Sequence, residues 1–201
     1  VQPVVPGFTI TGELISGATG STWAAVRNLD DQRFVLRIVP VADANEAAQL
    51  MAVLDRVDNQ HVVRLHSAIA LADGALALVL DQVTGGSLAQ LLGARGQLTP
   101  GETVTTVAPL FGVLADLHAA GVEHGDLTPA NVVFSADGRP MISDLGVARL
   151  LVRAACPVDR PPGFVAPELV AGADPSPASD VYAMAALAWF CLTGDLPAPP
   201  N

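Results

Sequence analysis

Several short runs carry side chains that could do chemistry. His124-Gly-Asp126-Leu-Thr128-Pro-Ala-Asn131 places a carboxylate and a carboxamide in one loop, and Asp144-Leu-Gly146 follows as a second acidic turn. Upstream, Ile15-Ser-Gly17-Ala-Thr-Gly20-Ser-Thr22 is a two-glycine loop, and Arg37 sits in Val35-Leu-Arg37-Ile38. Taken singly, each has a plain structural reading. Glycine is the general solution for positive φ, so Gly17 and Gly20 could simply turn the chain. Asp126 and Asn131 could brace their own loop, and Asp144 could cap a turn. His61 and His66 would need ligands from elsewhere to hold a metal, so a structural role is expected. Ser87 follows Gly85-Gly86 but lacks the strand-turn-helix setting and third glycine of a nucleophile elbow.

Composition narrows the chemistry further. The 201 residues hold ten Arg, no Lys and twenty Asp plus Glu, for a formal charge of −10. Without lysine there is no Schiff base and no Walker-type phosphate lysine. The charge disfavours nucleic acid and anionic membrane surfaces as partners. With 51% apolar and 15% charged residues, the chain can bury a core and is not disordered. Cys156 and Cys191 have no C-x-x-C partner and read as buried thiols in a reducing compartment. The opening Val1-Gln2-Pro3 shows no signal pattern, and the apolar stretch 181–192 is too short to span a bilayer.

The elements that must position these groups fall into two parts. Strands are expected at 8–14, 22–26, 33–39, 62–65 and 75–80, with a helix over 43–56 capped by Asp43 and Glu46. Beyond Gly85-Gly86 the pattern turns helical: 87–92, a longer helix from Thr99 to about Ala119 that Pro109 should kink or break, and an apolar-all-round, hence central, helix over 179–193. Two short strands, 132–134 and 140–142, join at Asp137-Gly138. The expectation is an α+β architecture, with residues 1–84 strand-rich and residues 85–201 mostly helical.

In this order and at this spacing, the runs resemble the motifs of protein kinases. The two-glycine loop is similar to the phosphate loop and Val35-Leu-Arg37-Ile38 to the strand bearing a lysine. His124 to Asn131 resembles the catalytic loop, Asp144-Leu-Gly146 the metal-binding triplet, and Ala166-Pro-Glu168 the end of the activation segment. Asp180, in Ser-Asp-Val-Tyr-Ala183, matches the aspartate that opens the central helix and supports that loop. The resemblance covers residues 8–196 and points to the bacterial serine/threonine branch. It implies a bilobal kinase-like fold whose second lobe is incomplete here. It places Asp126 in the base position, Asn131 and Asp144 in the metal positions, and His124 as a packing residue. A nucleotide would meet Gly17, Gly20, Arg37 and the hinge Asp81-Gln82-Val83.

Several positions depart from that pattern. Arg37 stands for the lysine, and its planar fork differs from a compact ammonium. The helix glutamate that would orient it aligns near Gln49-Leu50, with Glu46 about one turn early. Thr128 replaces the catalytic-loop lysine, Ile15 the first loop glycine, and Thr22 a valine over the adenine, which puts a hydroxyl on an apolar roof. Gly125 replaces the arginine that reads an activation-segment phosphate, and no Ser, Thr or Tyr lies between Asp144 and Glu168.

These losses lead to the expectation of a non-enzyme: a pseudokinase in which Asp126, Asn131 and Asp144 are vestigial, no metal is held and no cofactor is needed beyond weak binding of ATP with Mg²⁺. Overall the chain most resembles the intracellular pseudokinase domains of mycobacterial lipid II flippase-like membrane proteins, the MviN or MurJ family. That resemblance implies the cytoplasmic face of a membrane protein and phosphorylation by an upstream Ser/Thr kinase. It also implies recruitment of a forkhead-associated (FHA) domain regulator of peptidoglycan synthesis, through a phosphothreonine outside this chain. Homodimerisation through the strand-rich lobe is a further expectation; nucleic acid and direct membrane contact are not. The competing readings are a slow Ser/Thr kinase using Asp126, Asn131 and Asp144, and a nucleotide-sensing switch.

Overall fold

A computed structural model describes residues 2–17, 20–39, 44–54, 57–145 and 162–197. The chain divides into two compact units. The first carries β1 (Phe8–Gly17), β2 (Gly20–Arg27), β3 (Arg33–Val39), α1 (Ala44–Leu54), β4 (Leu65–Ala70) and β5 (Leu76–Asp81). The strands form one antiparallel sheet in the order β1-β2-β3-β5-β4. Successive side chains alternate between faces, so Phe34 and Leu36 bury together on one side. Trp23, Ala25, Ala77 and Val79 complete that apolar cluster, with Phe8, Ile10 and Ile38 packed at its edge. Thr22, Val35, Arg37, Leu78 and Leu80 occupy register positions on the opposite face.

The second unit carries α2 (Leu88–Arg95), α3 (Pro100–Ala119), β6 (Val132–Phe134), β7 (Pro140–Ile142), α4 (Pro167–Val170) and α5 (Pro177–Thr193), together with residues Val57–Val62. Each of the three longer helices begins with a reciprocal cap. Ser87 with Gln90, Thr99 with Glu102 and Ser176 with Ser179 exchange side-chain and backbone hydrogen bonds, satisfying amides that a helix start leaves open. Leu110, Val113, Leu114 and Leu117 of α3 and Met184, Leu187 and Cys191 of α5 are buried, and the two helices pack together. The link into this unit is tight: a Cβ on Gly85 would fall 2.4 Å from the Phe134 carbonyl oxygen, so only glycine fits.

The expected α+β, kinase-like architecture is borne out, with several local corrections. Val62 makes only an isolated bridge to Ile142, in the second unit, and the strand begins later, at Leu65. Helix α3 runs unbroken through Pro109, because Thr106, Val107, Leu110 and Val113 around it are all buried and packing outweighs one lost hydrogen bond. Helix α5 is not covered all round: Val181, Trp189 and Leu192 are exposed on one side. Ser87 is a helix cap, as Gln90 N–H donates to its Oγ. Cys191 is buried, and burial pushes its thiol up to about 11. Cys156 and the Asp43 cap lie outside the described residues. No helix of the described residues is long and apolar enough to cross a membrane.

Candidate active site

In the second unit, the loop from His124 to Asn131 is held from below by one carboxylate. Asp180, in the first turn of α5 and almost fully buried, accepts the backbone N–H of His124 and of Gly125, both at 2.8 Å. His118 Nε2, from the end of α3, bonds the same carboxylate at 2.9 Å. A buried carboxylate is stable only when hydrogen-bonded, and each oxygen of Asp180 has a partner. The backbone at Gly125 adopts φ 76°, a left-handed conformation that any other residue would adopt with strain.

His124 is fully buried and links two segments. Its Nε2 meets the Ser143 carbonyl at 3.0 Å, and the Asp126 N–H points at its Nδ1 at 3.2 Å. A carbonyl only accepts and an amide N–H only donates, so the ring carries its proton on Nε2. Packing, as expected, is its part. Asn131 closes the loop: its Nδ2 donates to the Asp126 carbonyl at 2.7 Å and reaches the Asp126 carboxylate at 3.3 Å. Ser143 N–H in turn donates to the Asn131 carbonyl at 2.9 Å, setting the residue before Asp144 beside Asn131. Asp144 itself has φ 57°, a conformation uncommon outside glycine and a recurrent mark of functional turns.

The second unit thus brings Asp126, Asn131 and the Asp144 turn into one hydrogen-bonded assembly. With Nδ2 of Asn131 committed to Asp126, its Oδ1 is the oxygen turned away from that contact, and Asp144 carries a carboxylate. Two hard oxygen donors of this kind fit Mg²⁺, which takes one or two protein ligands and completes its shell with phosphate and water. Among the described residues, no cluster of three or more His, Cys, Asp or Glu is placed to hold a metal by itself. His61 bonds the Pro140 carbonyl and His66 bonds Asp81, so each histidine has its own structural partner.

In the first unit, Gly17 ends β1 and Gly20 begins β2, cross-paired and with Gly20 at φ 119°. Ile15 turns its side chain outward, 58% exposed. Arg37 lies opposite Thr22, and its Nη1 donates to the Thr22 hydroxyl at 3.1 Å. Asp81 ends β5, its N–H donating to the Arg64 carbonyl. Val83 follows, half-buried, at the start of the second unit. The side chain of Glu46 and residues 146–161, most of the span without Ser, Thr or Tyr, lie outside what is described.

Sequence reasoning missed two positioning groups. His118 and Ser143 act through tertiary contacts, and His118 lies 62 residues from Asp180, a separation at which local spacing carries no signal. The Thr22–Arg37 bond, by contrast, could have been read from strand pairing.

A carboxylate loop clamped by a helix-borne aspartate, an acidic turn tied to it and a glycine-linked hairpin are the features of a protein kinase domain. The protein kinase domain family matches residues 8–201, and the chain belongs to that family. It is 32% identical over 222 residues to serine/threonine-protein kinase PkaA of Streptomyces coelicolor, covering 98% of this chain and 40% of that protein. It is 30% identical over 201 residues to PknL of Mycobacterium tuberculosis, covering 94% of this chain and 50% of that one. PkaB of Streptomyces coelicolor is 34% identical over 180 residues. The chain spans half or less of the length of these relatives.

These relatives correct the expectation of a non-enzyme. Proteins that match 83–98% of the chain are named serine/threonine-protein kinases, and none of the three is named as a non-enzyme. The narrower resemblance to flippase-linked pseudokinase domains receives no support from them. A substitution in the 124–131 loop removes a side chain without showing that its role has gone unfilled.

Proposed function

We propose that this chain is the catalytic domain of a serine/threonine kinase, transferring the γ-phosphoryl group of ATP to a hydroxyl of a protein substrate. The observation that supports it is the clamped loop: Asp126 is held through its own carbonyl and carboxylate by Asn131, while Asp180 fixes the two residues before it. Preorganised geometry of this kind is what phosphoryl transfer demands of a protein, since little covalent help is needed.

Asp126 orients the incoming hydroxyl and takes its proton. The hydroxyl oxygen then bonds to the γ-phosphorus as the bond to the β–γ bridging oxygen breaks, and ADP leaves. Asn131 Oδ1 and Asp144 would hold Mg²⁺, which when bound neutralises charge on the phosphate oxygens. Gly17 and Gly20 let backbone approach the phosphates, Arg37 supplies the cation, and the backbone of Asp81 and Val83 borders the adenine.

The test is phosphate transfer from ATP to a serine- or threonine-containing peptide, with calorimetric titration of ATP and Mg²⁺. Asp126→Asn should lower kcat by roughly 10²- to 10⁴-fold while ATP still binds. Silence in both assays at millimolar ATP would overturn the reading.

Recruitment of an FHA-domain reader by a phosphothreonine placed by an upstream kinase, attachment to a membrane protein and a part in peptidoglycan synthesis would sit beside catalysis. Their support is the resemblance alone. Binding of an FHA protein to the phosphorylated but not the dephosphorylated longer protein that carries this chain and the phosphothreonine tests them, and equal binding to both counts against them. Sedimentation of the purified domain tests homodimerisation.

A further inference from the structure

Two departures from the family pattern turn out to be one contact. Arg37 in place of lysine and Thr22 in place of valine are cross-strand partners in the β2–β3 register, where directly opposed residues share a face. Arg37 Nη1 donates to Thr22 Oγ1 at 3.1 Å, and both side chains are half-buried. Around them the face is apolar: Arg37 is also opposite Leu78, Val35 is opposite Leu80, and both leucines are buried. A hydroxyl in that setting needs a partner, as does a guanidinium. Arg37 Nη1 and Thr22 Oγ1 supply one to each other. A compact ammonium would not need the hydroxyl to fix its direction, whereas a planar fork meets a phosphate oxygen well only when its plane is set.

We propose that Thr22 is a positioning residue for phosphate binding by Arg37: its hydroxyl fixes the guanidinium plane, so that the Thr22–Arg37 pair performs as a unit what a lysine performs alone. This rests on the nucleotide-binding reading above. It makes affinity for the phosphates depend on a residue that itself touches no phosphate. It also gives the two substitutions in this chain a shared role, since the hydroxyl is a fixed acceptor for one nitrogen of the fork.

The experiment is a double-mutant cycle of wild type, Thr22→Val, Arg37→Lys and the double variant, with Thr22→Ser as the conservative control. Calorimetry with ATP plus Mg²⁺ and with adenosine supplies the readout, and melting temperatures confirm that each variant is folded. Thr22→Val is expected to weaken ATP about tenfold, the scale of a lost hydrogen bond to a charged group, while adenosine binds no more weakly, since the substitution takes a hydroxyl off the apolar roof over the base. Thr22→Ser should stay within about twofold of wild type for ATP, because the hydroxyl is retained. In the Arg37→Lys background Thr22→Val should cost nothing. Equal weakening of ATP and adenosine, or the same loss in both backgrounds, overturns the proposal. A wild type that transfers phosphate while the cycle shows no coupling sinks the pair and leaves the kinase reading standing. A wild type that binds ATP with the expected coupling but never phosphorylates a peptide does the reverse, and one blind to millimolar ATP ends both.

Discussion

At the scale of residues, Asp180 does the most while almost fully buried. Its two oxygens hold His124, Gly125 and His118, so removing either charge or geometry should release the loop that carries Asp126. Asp180→Ala leaves buried donors unpaired and should destabilise the domain by about 3 kcal/mol or more. Asp180→Asn keeps the size but presents an NH₂ to groups that themselves donate. It should lower kcat more than it raises KM for ATP, read from steady-state kinetics beside urea melts. A variant with normal kcat would show that the loop keeps its shape without this clamp. The motif residues were legible because they are contiguous: His124 to Asn131 and Asp144 stand out as runs. What was not legible is whether replaced neighbours matter. Thr128 and Gly125 read as deletions, yet Gly125 sits at φ 76°, where glycine is the unstrained choice.

At the scale of elements, the helix starts were the best-written part of the sequence. Thr99-Pro-Gly-Glu102 announced α3, and the structure adds Arg95 of α2 to the same carboxylate at 2.7 Å. Arg95, with the Thr99 N–H and hydroxyl, holds the Glu102 carboxyl well below the ordinary range, at about 2. A carboxyl depressed on folding contributes stability above its unfolded value, and that contribution disappears as pH falls through the folded one. Glu102→Gln should therefore be less stable than wild type near neutral pH, and the gap should close between about pH 4.5 and pH 2 in thermal melts. A gap that persists at pH 2 would mean that the amide fails on geometry, with charge irrelevant. Packing was less legible. Pro109 signalled a break that burial of its neighbours prevents, and the composition of α5 hid its exposed Val181, Trp189 and Leu192. On its buried side, Leu187→Ala should cost about 2–5 kcal/mol, measured by chemical unfolding.

At the scale of the whole molecule, charge is the property to test. Twenty acidic residues against ten arginines leave −10, with no lysine to soften the pattern. A field of one sign steers oppositely charged partners and is screened by salt, over about 8 Å at physiological ionic strength. Peptide substrates rich in Arg or Lys should be phosphorylated with a kcat/KM that falls as salt rises, whereas acidic peptides should gain. Identical salt profiles for both would place recognition in local contacts alone. Fold class was readable at this scale because strand periodicity and helix periodicity separate cleanly near Gly85-Gly86. A tally of missing family residues, by contrast, says nothing about pairs such as Thr22 and Arg37 whose side chains bond each other.

The sheet order β1-β2-β3-β5-β4 also has a kinetic meaning. The β1–β2, β2–β3 and β4–β5 pairs join strands adjacent in sequence, as local hairpins do. Only the β3–β5 pair brings together residues distant along the chain, 33–39 with 76–81. Assembly of the sheet therefore contains a single non-local closure, the step at which loop entropy is highest and on which folding rate depends most. Arg37 stands on that seam, opposite Leu78. The cation proposed to meet the phosphates thus lies on the sheet's one long-range pairing, and amide exchange along β3 and β5 should report that closure as one cooperative event.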